Sequence, residues 1–268
     1  MSIDSLYTAS QWLIFVVFFA LLLLASELGF RLGRSWQAKT GEDARSQLST
    51  VQGAILALLG LLLAFTFSMA VSRYELRRTL VVEETNAIST TYLRAQLLPK
   101  PYAHEISSLF EDYVEARLDF YYAGIDPARL AQANKRTEHL QQQLWSQAIA
   151  AGKEDPYAIT TGLFIQSLNE VIDAPTKRLA ALENRVPEIV YLLLLIGAIL
   201  AVALIGYGYG LADRRNSLLI ALLSLLITLV VLVTMDLDRP RRGLITVGQQ
   251  SMLDLRESLR QPIPWNEP

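Results

Sequence analysis

The sequence predicts an all-α integral membrane protein with four transmembrane helices in two hairpins and a helical extramembrane domain between them. Hydrophobic residues make up 52% of the 268 residues, yet charged residues still make up 19%, so apolar and charged sequence must occupy separate regions. A helix needs about 20 apolar residues to cross a bilayer. Four runs meet or nearly meet that length, at residues 11–30, 51–71, 189–211 and 218–235.

The first two runs form the predicted first transmembrane hairpin, residues 1–72, with helices at about 11–30 and 51–71. No Lys or Arg precedes the first run, its apolar part is too long for a signal peptide, and no small-residue cleavage motif follows it. We therefore expect this segment to be a retained helix. The last two runs form the second hairpin, residues 187–235, and residues 236–268 form a juxtamembrane tail.

The domain between the hairpins, residues 73–186, is rich in helix formers and has clear helix boundaries. Pro99 and Pro101 stop one helix, and Asp126-Pro127 and Asp155-Pro156 each resemble an N-cap followed by Pro at the first helical position. These boundaries predict four helices, at about 73–98, 102–123, 127–151 and 156–185.

Two further features concern the ends of the domain. No helix breaker lies between Phe67 and Leu98, so the second transmembrane helix is predicted to continue without interruption into the first domain helix. Pro175 predicts a kink or break in the last domain helix.

The second transmembrane helix has two faces of different size. One face carries small residues spaced for close helix packing in lipid, namely Gly53, Ala57, Gly60 and Ala64. The opposite face carries bulky apolar residues at the same helical spacing, namely Leu58, Leu62, Phe65 and Met69. Such side chains can form a hydrophobic pore neck that gates by dewetting. The alternative is that they simply face lipid or a neighbouring helix.

Beyond the apolar run, the same helix carries a near-heptad seam. It is formed by Val81, Ile88, Ala95 and Leu98, and Glu84 falls within it. A carboxylate in such a seam is costly unless it is paired or hydrated. We therefore expect Glu84 either to pair with an arginine, which we favour, or to face a water-filled axis. The polar residues assigned to the seam or axis are Glu84, Asn86 and Arg94.

Composition disfavours several classes of function. The chain has no cysteine, and its two histidines, His104 and His139, are not spaced as metal ligands. The net charge is only −2, without the basic block typical of nucleic-acid binding. No nucleophile elbow, phosphate loop or pair of catalytic carboxylates is present. We therefore expect no enzyme activity, no cofactor, no metal and no nucleic-acid partner.

Two stretches of the chain carry a family resemblance. The first is FTFSMAVSRY at 65–74, which continues through EETNAI at 83–88, and the second is DLDRPRRG at 236–243. Together with the four-helix layout, they resemble a bacterial membrane family described as bestrophin-like. Bestrophins are pentameric ion channels with cytoplasmic termini, in which the second helix lines a hydrophobic neck. The resemblance implies a homo-oligomer, a pentamer if it follows bestrophins, that conducts small ions across the lipid bilayer. Calcium gating is not implied, because no convincing acidic calcium-binding run is present.

The basic residues near the membrane ends bear on orientation. On the side of the domain and termini lie Arg73, Arg77, Arg78, Lys177, Arg178, Arg185, Arg239, Arg241 and Arg242. On the side of the two short connections lie Arg31, Arg34, Lys39, Arg45, Arg214 and Arg215. The total and the resemblance favour a cytoplasmic domain and cytoplasmic termini in the bacterial inner membrane. The first helix alone, uncharged before and basic after, favours the reverse.

Three functions remain open at this point. The first is an oligomeric ion channel with a neck lined by the second transmembrane helix. The second is a membrane-anchored sensor or scaffold that does not conduct, although the tail after the last helix is too short for an output domain. The third, a membrane enzyme, comes last because no catalytic cluster supports it.

Overall fold

A computed structural model describes residues 11–154, 159–241 and 243–261 of the chain. In these ranges every regular element is helical. The helices are α1 (Gln11–Trp36), a 3₁₀ helix (Gln37–Lys39), α2 (Glu42–Ala95), α3 (Lys100–Tyr122), α4 (Pro127–Glu154), α5 (Ile159–Glu183), α6 (Glu188–Leu211), α7 (Ser217–Leu237) and α8 (Gln250–Leu259). The predicted N-cap at Asp155-Pro156 lies outside the described residues.

Within the described ranges, four helical stretches are long and apolar enough to cross a membrane, and they include α1, α2, α6 and α7. The predicted all-helical chain with four candidate membrane helices is therefore confirmed. The predicted continuity of the second helix is also confirmed, because α2 runs unbroken for 54 residues. Its sequence contains neither Pro nor Gly after Gly60, so nothing in it interrupts the backbone hydrogen bonds.

Pro175 does not end α5, so of the predicted kink or break the break is wrong and the kink stays a prediction. The helix runs from Ile159 to Glu183 with Pro175 inside it. On either side of this proline, Val171 and Ala181 are buried. Packing on both sides holds the helix together, although the ring removes one backbone hydrogen bond.

The chain divides into two compact units, of which the first comprises Met1–Arg73 and Arg185–Arg239. Its apolar core joins Leu22 of α1, Leu59 of α2 and Val202 of α6 with neighbouring side chains. The most extensive helix contact is between α1 and α6. The helix that follows α1 in sequence, α2, reaches α6 through Gln52, whose side-chain amide donates a hydrogen bond to the Leu204 carbonyl at 2.6 Å.

Glycines allow α1 and α6 to touch backbone to backbone. A Cβ added to Gly29 would lie closer than 3.0 Å to the Ala203 carbonyl of α6, and a Cβ on Gly206 would overlap the Ser26 carbonyl of α1 in the same way. Gly33 and Gly210 repeat this overlap one turn further along. Both helices thus carry a Gly-x-x-x-Gly pattern that permits close approach in lipid. The contact was not predicted from the sequence.

The second unit comprises Tyr74–Asn184 and Pro240–Pro268. Its aromatic and aliphatic core includes Phe110, Tyr113, Leu144, Phe164 and Met252. Three residues of the seam, Ile88, Ala95 and Leu98, belong to this core, and Val81 is also buried.

One predicted helix start in this unit is seen in full. The Asp126 carboxylate accepts hydrogen bonds from the backbone N–H groups of Ala128 and Arg129 at 2.9 and 3.2 Å. This is the geometry of an N-cap, and it fixes the start of α4 at Pro127.

Candidate functional site

The bulky face of α2 is largely uncovered within the first unit. Leu58 is 57% exposed, Phe65 60% and Met69 38%. Leu62 is half-buried and packs against the apolar core of the unit. Three of the four side chains are therefore exposed, and Leu62 packs on the core. The role of all four in a pore neck stays a prediction.

The small face of α2 is also uncovered. Gly53, Ala57, Gly60 and Ala64 are all exposed. A Cβ added to Gly53 or Gly60 would meet no described atom within 4 Å. This contrasts with the glycines of α1 and α6, so the small face of α2 has no helix packed on it within the described chain.

A third face of α2 holds the helix against its own unit. Leu59 and Ala70 are buried, and the Thr66 hydroxyl is buried while donating a hydrogen bond to the Leu62 carbonyl at 2.7 Å. The apolar part of α2 therefore has one covered face and two uncovered faces.

Glu84 is the centre of a buried charge cluster in the second unit. Arg117 Nε of α3 donates a hydrogen bond to Glu84 Oε1 at 2.6 Å, and Arg178 Nη1 of α5 donates to Glu84 Oε2. Arg178 Nη2 also donates to Gln249 Oε1 at 3.0 Å. Glu84 is fully buried. Of the two alternatives for Glu84, the structure shows the pairing.

The two neighbouring arginines keep the Glu84 carboxyl ionised. Burial raises the pKa of the Glu84 carboxyl, but the adjacent guanidinium groups of Arg117 and Arg178 outweigh burial and hold its pKa below the usual range. Burial, and then the negative charge of Glu84, raise the pKa of the Tyr113 hydroxyl. That hydroxyl donates to the Val171 carbonyl at 3.3 Å. The cluster therefore contains an ionised carboxylate that is enclosed by the aromatic core.

Asn86 and Arg94 do not join this cluster. Asn86 is exposed, and Arg94 is half-buried and donates a hydrogen bond from Nη1 to the Leu163 carbonyl at 2.9 Å. The partners of Glu84, Arg117 and Arg178, were not predicted. A signal existed for Arg117, because it follows Phe110, Tyr113 and Val114 on the apolar face of α3.

The segment after α7 begins with a buried carboxylate in the first unit. Asp238 is fully buried, and its two oxygens accept the Val186 backbone N–H at 3.0 Å each. Tyr191 of α6 donates to the same carboxylate at 3.4 Å. Asp238 thus ties Val186, two residues before the start of α6, to the end of α7. Across the described residues, no group of three or more His, Asp or Glu is arranged to hold a metal ion.

Comparisons with known proteins agree with this architecture. A family model described as Bestrophin-like domain matches residues 16–252. The crystal structure of a bacterial bestrophin homologue from Klebsiella pneumoniae has a TM-score of 0.65 at 17% identity, covering 91% of this chain and 96% of that chain. A variant of a bestrophin homologue from that organism has a TM-score of 0.66 at 17% identity, covering 94% and 97%. No curated protein matches the sequence.

At this identity the structural likeness concerns the fold alone. The family assignment comes from the family model, which extends from α1 into α8 and leaves out only the ends of the sequence. The chain is therefore a membrane protein that belongs to the bestrophin-like family.

Proposed function

We propose that the protein is an oligomeric ion channel in which α2 lines a hydrophobic neck. The observation that carries this proposal is the pair of uncovered faces on the apolar part of α2, one small and one bulky. A helix with one face on its own unit and two apolar faces left over is suited to a ring of copies around an axis. Membership of the bestrophin-like family supports the same assignment.

The proposed membrane arrangement follows the four apolar helices. The first hairpin lies in residues 1–72, the second in 187–235, and residues 73–186 form a domain outside the bilayer. The buried ion-pair cluster around Glu84 supports an extramembrane position for that domain, because charged groups are costly at membrane depth. The excess of Lys and Arg on the domain side supports a cytoplasmic position for the domain and both termini in a bacterial cell.

The proposed subunit contact uses the small face of α2. Gly53 and Gly60 have open space above them, so the backbone of a second copy can approach closely there. A head-to-tail contact of this kind repeats the same rotation from one subunit to the next. It closes into a ring when a whole number of these rotations makes 360°. The bestrophin-like fold favours a ring of five.

The proposed neck uses the bulky face. Leu58, Phe65 and Met69 are the principal residues because they are exposed, and Leu62 lies at the edge of the neck because it also packs on the core. Narrow rings of such side chains exclude water and so oppose ion passage. Shortening them is therefore expected to favour wetting.

Ion flux in reconstituted liposomes tests this proposal. Leu58→Ala combined with Phe65→Ala is expected to raise flux several-fold, because both side chains are exposed and their loss widens the neck. The matched control is Leu222→Ala with Leu226→Ala on α7, where the leucines are 52% and 60% exposed. This control is expected to leave flux unchanged. If the purified oligomer conducts nothing in either form, the channel proposal is wrong and a non-conducting sensor or scaffold takes its place.

A further inference from the structure

A cavity of about 260 Å³ lies within the second unit. Its wall draws on α2, α3, α5 and the segment after α7. The charged and amide side chains that line it are Arg77, Arg178, Arg241 and Gln249, and none of the described lining residues is Asp or Glu. The aromatic residues that line the cavity are Phe120, Tyr121 and Tyr122. The cavity therefore combines several positive groups with apolar surface.

Arg178, at the cavity wall, belongs to a charge cluster with one carboxylate. Arg178 shares the single carboxylate of Glu84 with Arg117, so two guanidinium groups face one negative charge. Arg117 Nη2 is buried and makes no hydrogen bond to any described atom. The cluster thus has more hydrogen-bond donors and more positive charge than its own acceptors satisfy.

Arg241 adds a second uncompensated charge. Its Nη1 donates to the carbonyls of Gly124 at 2.7 Å and Phe120 at 3.4 Å, and its guanidinium lies 4.5 Å from the centre of the Phe120 ring. Neutral partners hold this side chain at the cavity wall, and no carboxylate in the described ranges pairs with it. Burial, and then the positive charges of Arg178 and Arg117, lower the pKa of the Arg241 guanidinium. An anion in the cavity would relieve this repulsion.

We infer that the cavity binds a small phosphate-bearing anion, with the phosphate at Arg178 and Arg241 and the apolar part of the ligand against Phe120 and Tyr121. Arginine matches phosphate oxygens with paired donors. The two arginines come from different elements, α5 and the segment after α7, so they can address different oxygens of a tetrahedral group. The aromatic wall suits an apolar portion next to the charge. The site does not depend on conduction.

Two kinds of ligand combine a phosphate group with an apolar portion. One is a free phosphorylated small molecule. The other is a lipid headgroup, because Arg77 follows the apolar run 51–71 by six residues and Arg241 follows Leu237, the end of α7, by four. The test therefore uses two probes, phenyl phosphate and dihexanoylphosphatidic acid, with dihexanoylphosphatidylcholine as the lipid control.

The measurement is the thermal unfolding midpoint of the full chain in detergent during titration with each probe. A ligand that binds only the folded state raises the midpoint, and above its Kd the rise continues with the logarithm of the ligand concentration. Arg241→Gln is expected to weaken the apparent Kd at least about tenfold, because it removes a charged donor. Arg129→Gln, an exposed arginine of the same unit that does not line the cavity, is expected to bind like the parent.

A second variant covers the case in which Arg241→Gln does not fold. Thr246 is exposed at the cavity wall, so Thr246→Glu introduces a competing carboxylate without removing a buried group. Thr246→Glu is expected to abolish the shift, and Thr246→Gln to retain it.

The outcomes separate the sources and can overturn the site. A rise with phenyl phosphate that increases with its concentration indicates a free anion. A rise with dihexanoylphosphatidic acid but with neither phenyl phosphate nor the phosphatidylcholine indicates a lipid headgroup. The site is contradicted if neither phosphate probe raises the midpoint. It is equally contradicted if sodium chloride at matched ionic strength gives the same shift, or if Thr246→Glu and Arg241→Gln respond like the parent.

Discussion

The two compact units are stabilised in opposite ways. In the first unit, α1 and α6 meet at Gly29, Gly33, Gly206 and Gly210, where the backbones leave no space for a side chain. In the second unit, an aromatic core encloses Glu84 and its two arginines. Lipid supplies no hydrophobic force between helices, so close packing must replace it. A buried carboxylate is costly unless it is paired, so the stability of the second unit depends on the two arginines that pair with Glu84.

Small residues occur in two different environments within the first unit. The glycines of α1 and α6 are covered by the chain itself, whereas Gly53, Ala57, Gly60 and Ala64 of α2 are not. The residue types and spacing are alike, so the pattern alone does not say which partner a helix meets. The structure separates a contact within the chain from a face that the described chain leaves uncovered.

The largest effect is expected for Gly206→Leu. The new side chain would collide with the α1 backbone, which is not able to move aside as a flexible side chain does, so the expected cost is more than about 3 kcal/mol. The measurement is the yield of monodisperse protein and its thermal unfolding midpoint in detergent. Gly60→Leu is the matched control and is expected to fold. Equal loss of folded protein in both variants would remove the distinction between the covered and uncovered glycines.

The next effect is expected for Glu84→Gln in the second unit. Removing the carboxylate leaves two buried guanidinium groups without their negative partner, and breaking such a buried pair costs about 3–5 kcal/mol. Glu83→Gln is the control, since Glu83 is the preceding residue and is exposed. Resistance to proteolysis within residues 74–184 and the unfolding midpoint provide the measurement. An unfolding midpoint for Glu84→Gln equal to that of Glu83→Gln would show that the cluster contributes little to stability.

The smallest effect on stability, with a clear effect on assembly, is expected for Gly60→Leu. The subunit has open space at this position, so its folding free energy should change by less than about 0.5 kcal/mol. If α2 packs against another copy through this face, the added side chain should reduce the mass of the particle measured by light scattering in detergent. Leu226→Ala on α7 is the control. A particle of unchanged mass would place the subunit contact elsewhere.

Much of the fold follows from local sequence. Apolar runs located the candidate membrane helices, the absence of breakers between Phe67 and Leu98 predicted the unbroken α2, and Asp126 marked the start of α4. The cost of burying a carboxylate in the α2 seam favoured a paired Glu84 before any partner was known. Each of these depends on neighbouring residues or on general energetics.

What the sequence did not reveal depends on distant residues. The partners of Glu84 lie 33 and 94 positions away, and helical periodicity does not say which of several arginines reaches it. The Gly-x-x-x-Gly patterns of α1 and α6 are visible in the sequence, yet nothing local indicates that they meet. Arg241, which lies in a basic segment after α7, gave no local sign that it lines a cavity with α5.

The central claim is that the uncovered bulky face of α2 lines an ion pathway, and the absence of cysteine from the chain permits a direct measurement. Phe65→Cys and the control Leu226→Cys, each 60% exposed in the subunit as phenylalanine and leucine, are reconstituted in bilayers and treated with charged thiol reagents. The account predicts that anionic and cationic reagents change the ion current of Phe65→Cys in different ways and leave Leu226→Cys unaffected. An unchanged current in Phe65→Cys after verified modification, or the same change at both positions, would contradict it.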